Sequence, residues 1–267
     1  MSLPIVRVIG CPVTALPLSA QLEVISSWAE ERLSKIICVA NVHMLMEAHW
    51  HLEMNSVLQN ADIVVPDGMP LVWMMRFMGF KKQDRAAGLD ILLGLCQTST
   101  KNGTSIYFLG SHVDVLSRIE AKLEHDFPSL KIAGIEPLPF RPLTSLEDEA
   151  VVQRINTSGA GIVFVALGCP KQEYWMAEHQ HRIQAVLIGV GGAFPVYAGI
   201  HRRAPRWMRE MGLEWFYRLI QEPQRLWKRY AATIPPFIYL ALKQLLIEQW
   251  LHLTPHGQPQ VEAVDDR

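Results

Sequence analysis

Between Val57 and Gly68 a short apolar run, Ile63-Val64-Val65-Pro66, ends on Asp67-Gly68. In open α/β sheets, ligands bind in the crevice beyond the carboxyl ends of the strands. A carboxylate placed there, partly desolvated and within hydrogen-bond reach, can take the proton of an attacking hydroxyl. Asp67 is therefore the candidate general base. The plainer alternative is that Asp-Gly after a strand is simply good turn chemistry.

Other polar groups also fall at strand ends. Asn41 closes Cys38-Val39-Ala40-Asn41; it suits a helix cap, and equally an amide that reads a sugar hydroxyl or a uracil edge. Gly168-Cys169-Pro170-Lys171-Gln172-Glu173 is the densest cluster. Pro170 and Glu173 are ordinary at a helix start, whereas Lys171 and Gln172 suit a diphosphate and a sugar. Gly189-Val190-Gly191-Gly192 continues to Ala193-Phe194, half of a dinucleotide fingerprint without its third glycine, which argues against NAD. Gly110-Ser111-His112 is a further turn of this kind. Glycines at strand ends let backbone N–H groups approach a ligand, and a helix N-terminus behind them favours phosphate. Gly110, Gly168, Pro170, Lys171, Gly189, Gly191 and Gly192 thus outline a nucleotide or nucleotide-sugar crevice, with Gly68 beside the base. Arg85 is a surface arginine or a phosphate clamp, and taken alone the surface reading is favoured.

No metal is expected. His49 and His51 are two residues apart and fall on different helix faces. Nor does the chain contain an Asp-x-Asp of the kind that holds a metal on a sugar-nucleotide diphosphate.

The elements that must position these groups alternate. Ile5–Ile9, Ile36–Ala40, Ile63–Val65, Ile106–Leu109, Lys131–Ile135, Ile162–Ala166 and Ala185–Val190 read as strands. Amphipathic stretches lie between them: Ala20–Leu33, Val42–Leu58, Gly88–Lys101, Val113–His125, Leu146–Asn156 and Lys171–His181. Near-continuous apolar strands separated by helices predict an α/β fold, Rossmann-like, with a mostly parallel sheet buried on both faces.

With 25 basic against 26 acidic residues the chain has no polyanion-binding balance, so nucleic acid is not an expected partner. The four cysteines lack C-x-x-C spacing and read as free thiols in a reducing compartment. No signal peptide is read at the N-terminus, so a cytoplasmic location is expected. Beyond a core spanning 1–200 the texture changes. From Arg202 to Lys243 nine basic residues face only Glu210, Glu214 and Glu222, with Trp and Tyr interleaved. This segment, 201–253, reads as a basic helical appendage lying on a membrane surface. Lys243-Gln244 and Glu248-Gln249 interrupt its apolar stretch, Phe237–Leu253, and disfavour a spanning helix. Residues 254–267 read as a disordered tail.

Taken in order, Asn41, Pro66-Asp67-Gly68, Arg85-x-x-Gly88, Gly168-x-Pro-Lys-Gln-Glu173, Gly189-Val-Gly-Gly192 and Arg203-Ala-Pro-x-Trp207 resemble the WecG/TagA/CpsF glycosyltransferases. Leu213-Glu-Trp-Phe-Tyr-Arg218 and Glu222-Pro-x-Arg225 extend the likeness. The resemblance implies a Rossmann-like core with a membrane-associating appendage at the inner face of the cell membrane. It implies metal-free, inverting transfer from a UDP-sugar to a polyprenyl-diphosphate-linked saccharide, with no cofactor, in cell-surface polysaccharide synthesis. Asp67 matches the proposed base, and Gln172 and Asn41 match substrate-contacting positions. Arginines of the appendage (Arg203, Arg206, Arg218 or Arg225) would neutralise diphosphate charge. Two positions depart from the pattern: Val39 stands where members often carry threonine, and Pro195 where many carry aspartate. Homo-oligomerisation is compatible with the pattern. A nucleotide-dependent oxidoreductase and a non-catalytic membrane-surface scaffold are the competing readings. The broken glycine fingerprint disfavours the first, and the second leaves Asp67 and Gln172 without a purpose.

Overall fold

The computed structural model describes residues 3–139 and 141–253; the expected tail, 254–267, lies outside the described residues. In chain order the first half holds β1 (Ile5–Val8), β2 (Cys11–Thr14), α1 (Leu18–Glu30), β3 (Lys35–Ala40), α2 (Val42–Trp50), α3 (Leu52–Asn60), β4 (Ile63–Pro66), α4 (Met69–Phe77) and α5 (Gly88–Asn102). Then come β5 (Ile106–Gly110), α6 (Val113–Asp126), β6 (Ile132–Glu136), α7 (Ser145–Ser158), β7 (Ile162–Ala166), α8 (Lys171–His179) and β8 (Val186–Gly189). Four helices finish the chain: α9 (Ala193–Tyr197), α10 (Arg206–Glu210), α11 (Glu214–Gln221) and α12 (Pro223–Leu253). The fold is α/β with a mostly parallel sheet, flanking helices and a C-terminal helical extension.

Two compact units divide the chain. One comprises 1–18, 40–87 and 204–267; the other comprises 19–39 and 88–203.

In the second unit β3, β8, β7, β5 and β6 lie side by side in that order, every pair parallel. The central strands β5, β7 and β8 are buried at every residue, which is why they read as unbroken apolar runs rather than alternating ones. Only the edge strand β6 is half-buried throughout. Phe108 of β5 sits between Phe164 and Phe194, with ring centroids 5.6 and 5.9 Å away, and these three rings anchor the core.

The first unit opens with an antiparallel hairpin, β1 with β2, pairing Val8 with Cys11. Ile9 and Gly10 form its two-residue loop, both at positive φ (50° and 78°), as a type I′ turn demands. Ile9, expected to end the first strand, is therefore in the turn. Its N–H donates to Gln244 Oε1 of α12 at 2.8 Å, and Gln244 Nε2 donates to the Arg7 carbonyl at 2.6 Å. β2 in turn is fixed to β4, where Val64 N–H donates to Thr14 Oγ1 at 3.1 Å.

α12 runs unbroken from Pro223 through Pro235 and Pro236. The prolines remove two backbone donors, yet Leu226, Thr233, Phe237 and Ala241 keep one buried face in register on both sides of them. Packing of that face outweighs the missing hydrogen bonds. The opposite face exposes Ile238, Tyr239, Leu242, Leu246 and Ile247. Residues Pro223–Glu248 are long and apolar enough to cross a membrane, with mean hydropathy 1.3 and little burial. A helix with one docked face and one exposed apolar face suits peripheral membrane association.

Candidate active site

Asp67 follows directly on β4, whose four residues are all buried. Its backbone N–H donates to the Ala40 carbonyl at 2.7 Å, so the strand ends carrying Asp67 and Asn41 lie next to each other. Asn41 caps α2 by accepting from Met44 N–H at 3.2 Å. Both its sequence readings survive, because the cap uses only Oδ1 and the Nδ2 donors have no partner among the described residues. The Asp67 side chain is about one-quarter exposed (26%), open enough to meet a ligand and shielded enough to feel its neighbours.

Its charged neighbour is Arg85. Nε of Arg85 lies 3.5 Å from Asp67 Oδ1, and Nη2 lies 2.7 Å from Glu214 Oε2. At 12% exposure this arginine is largely buried, not the free surface group its local sequence suggests. The loop that carries it is pinned on both sides. Ala86 N–H donates to the Pro66 carbonyl at 3.1 Å. Buried Gln83 donates to the Leu16 and Asp84 carbonyls, and Leu18 N–H donates to Asp84 Oδ1. These bonds aim Arg85 at the end of β4.

Glu214 is brought to the same place by a close backbone approach. Gly212, in the turn between α10 and α11, has φ +71°, and a Cβ there would lie 2.6 Å from Trp73 and 3.0 Å from Met69. Met69 is the first residue of α4, two positions after Asp67. Only glycine lets the turn rest on that helix start, and Glu214 follows two residues later.

In the second unit the Gly168–Glu173 cluster forms its own buried knot. Gln172 and Glu173 open α8 and are buried. Gln172 Nε2 donates to Glu173 Oε1 at 2.7 Å, and its Oε1 accepts from Gly168 N–H at 3.2 Å. A Cβ at Gly189 would meet Gln172 Nε2 at 2.8 Å, and one at Gly191 would meet Gln172 Oε1 at 3.0 Å. The two glycines thus form a notch that receives the Gln172 amide. Glu173 is fully buried, and Oε2 makes no hydrogen bond of ordinary geometry. Burial pushes its carboxyl up to about 7, with hydrogen bonds from Gln172 and Cys169 only partly opposing it. Lys171 and Gly192 are exposed, Gly168 is exposed, Pro170 is half-buried, and Gly110 is buried against Ala166 and Leu167.

The arginines of the appendage differ from one another. Arg203 pairs with Asp90, exposed Arg206 with Glu210, and Arg225 with Glu222. Arg218, half-buried and one turn beyond Glu214 on α11, makes no ion pair among the described residues. Among the described residues it is the one of the four whose charge no acidic side chain already occupies.

The model of the glycosyl transferase WecG/TagA/CpsF family matches residues 6–250. A Bacillus subtilis (strain 168) protein named N-acetylglucosaminyldiphosphoundecaprenol N-acetyl-beta-D-mannosaminyltransferase is 33% identical over 218 residues, 81% of this chain and 82% of the relative. A protein of the same name from Bacillus spizizenii is 31% identical over 219 residues, 82% of each chain. The chain belongs to the WecG/TagA/CpsF glycosyltransferase family.

As a member of a hexosyltransferase family the protein is an enzyme, and the matched span takes in both units and most of α12. Sequence reasoning placed Asp67 and Arg85 separately and treated Glu214 only as a charge opposing the basic run. The available signal was its position in Leu213-Glu-Trp-Phe-Tyr-Arg218, a motif that carries the family likeness. Gln83 and Asp84, which hold the Arg85 loop, carried no sequence signal beyond polarity.

Proposed function

We propose that this protein is an inverting, metal-independent glycosyltransferase. It moves a sugar, N-acetylmannosamine, its uronic acid or a related hexose, from UDP to a polyprenyl-diphosphate-linked saccharide at the inner face of the cell membrane. The observation that carries the reading is the carboxylate of Asp67 at the end of a buried strand, partly exposed, with Arg85 at its edge. The names of the two Bacillus relatives support a diphosphoprenol-linked acceptor and a mannosaminyl group.

In this reading Asp67 accepts the proton of the acceptor hydroxyl as its oxygen attacks the anomeric carbon. The new glycosidic C–O bond forms on the face opposite the breaking bond to the β-phosphate of UDP, which inverts the configuration. Negative charge grows on the leaving diphosphate, and fixed cations lower the barrier by meeting it. Arg218 is the strongest candidate for that work because it makes no ion pair among the described residues, and Arg85 is the second. The exposed apolar face of α12 and the cations near its start suit an anionic bilayer holding the acceptor.

The test is direct. Purified protein would be given a panel of UDP-sugars and a short-chain prenyl-diphosphate N-acetylglucosamine acceptor, with and without EDTA, while UDP release and product anomeric configuration are followed. Transfer with inversion that survives EDTA, and is lost in Asp67→Asn with UDP binding retained, is the expected result. Full turnover by Asp67→Asn overturns the base assignment, and a retained configuration overturns the single-displacement mechanism.

A further inference from the structure

We propose that Glu173 is a positioning residue for the transfer reaction: its buried carboxyl fixes the Gln172 amide, and that amide fastens the glycine turn after β7 to the glycine turn after β8. This rests on the protein using a UDP-sugar that these turns border. β7 and β8 are parallel neighbours with Val165 opposite Gly189, so the two turns leave the sheet side by side. Gln172 grips Gly168 twice. Its backbone N–H donates to the Gly168 carbonyl at 2.9 Å, and its Oε1 accepts from the Gly168 N–H at 3.2 Å. A backbone N–H can only donate, so the amide oxygen must face Gly168 and the NH2 must face elsewhere. It faces Glu173, whose Oε1 accepts from Nε2 at 2.7 Å. The Cys169 side chain, in the same turn, also bonds this carboxyl.

On its other side the amide lies where side chains at Gly189 and Gly191 would stand, since a Cβ there would come within 2.8 and 3.0 Å of it. One amide therefore sits among three glycines of two turns, with Glu173 as the acceptor for its donor end. Gln172 is 4% exposed and Glu173 is fully buried, so water does not replace a lost partner. Without an acceptor at 173 the NH2 would be buried unpaired, and the amide would gain by turning away and releasing the Gly168 N–H. A glutamate in the first turn of a helix has an ordinary role with the helix dipole, but a surface carboxylate fills that role without burial. At this depth Gln172 serves the crevice through the backbone it holds. Glycine turns bring backbone N–H groups close to a ligand, and a supporting shell that slackens by about 1 Å costs much of the binding.

The experiment compares full chains carrying Glu173→Leu, Glu173→Gln, Gln172→Leu, the two leucines together, and Gly189→Ala, with thermal unfolding to establish that each is folded. UDP binding is measured by titration calorimetry, KM and kcat with the UDP-sugar that the wild type uses, and exchange of the Gly168 N–H by NMR. Glu173→Leu should weaken UDP binding about tenfold, raise KM in step and speed Gly168 exchange. Glu173→Gln keeps an acceptor in the same place and should recover most of that loss. In the Gln172→Leu background the second leucine should cost less than about twofold more, because Glu173 acts through that amide. Gly189→Ala displaces the amide from its other side and should give the same signature, which keeps the proposal open to refutation if Glu173→Leu does not fold. Unchanged Gly168 exchange or unchanged UDP affinity in folded Glu173→Leu overturns the proposal, as do additive losses in the double variant. A fall in kcat with KM unmoved overturns it too, since general damage to the fold would do the same. A wild type that binds no UDP overturns the UDP-sugar reading and takes the positioning role with it, whereas Gly168 exchange reports on the lock between the turns alone.

Discussion

Replacing Glu173 with glutamine should flatten the pH dependence of stability, and the size of the effect follows from where the carboxyl sits. Glu173 is fully buried at the start of α8, and its carboxyl is raised from an ordinary 4.5 to about 7. An acid whose folded value is raised holds its proton more tightly when folded. Its neutral form is therefore compatible with the fold below pH 4.5, and stability is lost as pH climbs from there through about 7. At 1.36 kcal/mol per pH unit the whole span is worth about 3 kcal/mol, of which about 2.5 kcal/mol falls between pH 5 and pH 8. Glutamine has the same shape, and its Oε1 can accept from Gln172 Nε2 as the glutamate does. Its new NH2 would point where Oε2 now lacks a partner, at a pH-independent cost of about 1–3 kcal/mol. Offset and slope are thus separable. Urea unfolding of wild type and Glu173→Gln at pH 5, 6, 7 and 8 should show the difference between them shifting in favour of the variant by about 2–3 kcal/mol across the series. A difference that stays constant with pH would refute the claim that Glu173 is neutral in the fold at low pH and strained when charged.

Gly212→Ala should lower transfer strongly, because a Cβ would collide with Trp73 and Met69 at a positive φ; the cost is about 1–3 kcal/mol, read as a lower Tm together with a loss of kcat. Arg218→Ala should reduce kcat by about 100-fold or more if its charge meets the leaving diphosphate, with little change in Tm; isothermal titration with UDP and steady-state kinetics would measure both. Asp148 is opposed by burial, but hydrogen bonds from Arg182 and His179 outweigh that and hold its carboxyl below the ordinary range. Its stabilising effect is therefore full at neutral pH and disappears as pH falls through that depressed value. Asp148→Asn should cost about 1–3 kcal/mol at pH 7 and nothing in strong acid, as denaturant titrations at several pH values would record. Leu242→Glu with Leu246→Glu should weaken binding to anionic liposomes at least tenfold in a flotation assay, without unfolding the chain, because both side chains lie on the exposed face of α12.

Most of the sheet was legible because strands buried on both faces leave little choice of residue: β5, β7 and β8 were read within a residue or two of their observed bounds. β2 was missed because Cys11-Pro-Val-Thr14 is four residues long with a proline inside it, which argues locally against a strand. It exists because the Ile9-Gly10 turn folds it back on β1 and Thr14 receives Val64 N–H. α4 was missed for a different reason. Met69–Phe77 is apolar on nearly every side, so it has no stripe to reveal a helical period. The continuity of α12 across Pro235-Pro236 contradicts local propensity and depends on a buried face that only packing defines.

The same division holds at the site. The candidates Asp67, Arg85 and Gln172 could be named from the order of residues, since an apolar strand ending in a carboxylate and a glycine turn entering a helix are local patterns, and so could the family itself. What each group touches was not. Gln172 spends its amide on Gly168 and Glu173 in a notch made by Gly189 and Gly191. Arg85 is shared between Asp67 and Glu214, which are remote from each other in sequence. Sequence by itself determined which residue types stand at the strand ends and turns, because burial and turn geometry constrain residue type one position at a time. Only the tertiary structure decided which charges are already paired, because an ion pair depends on distances between segments that no local pattern encodes.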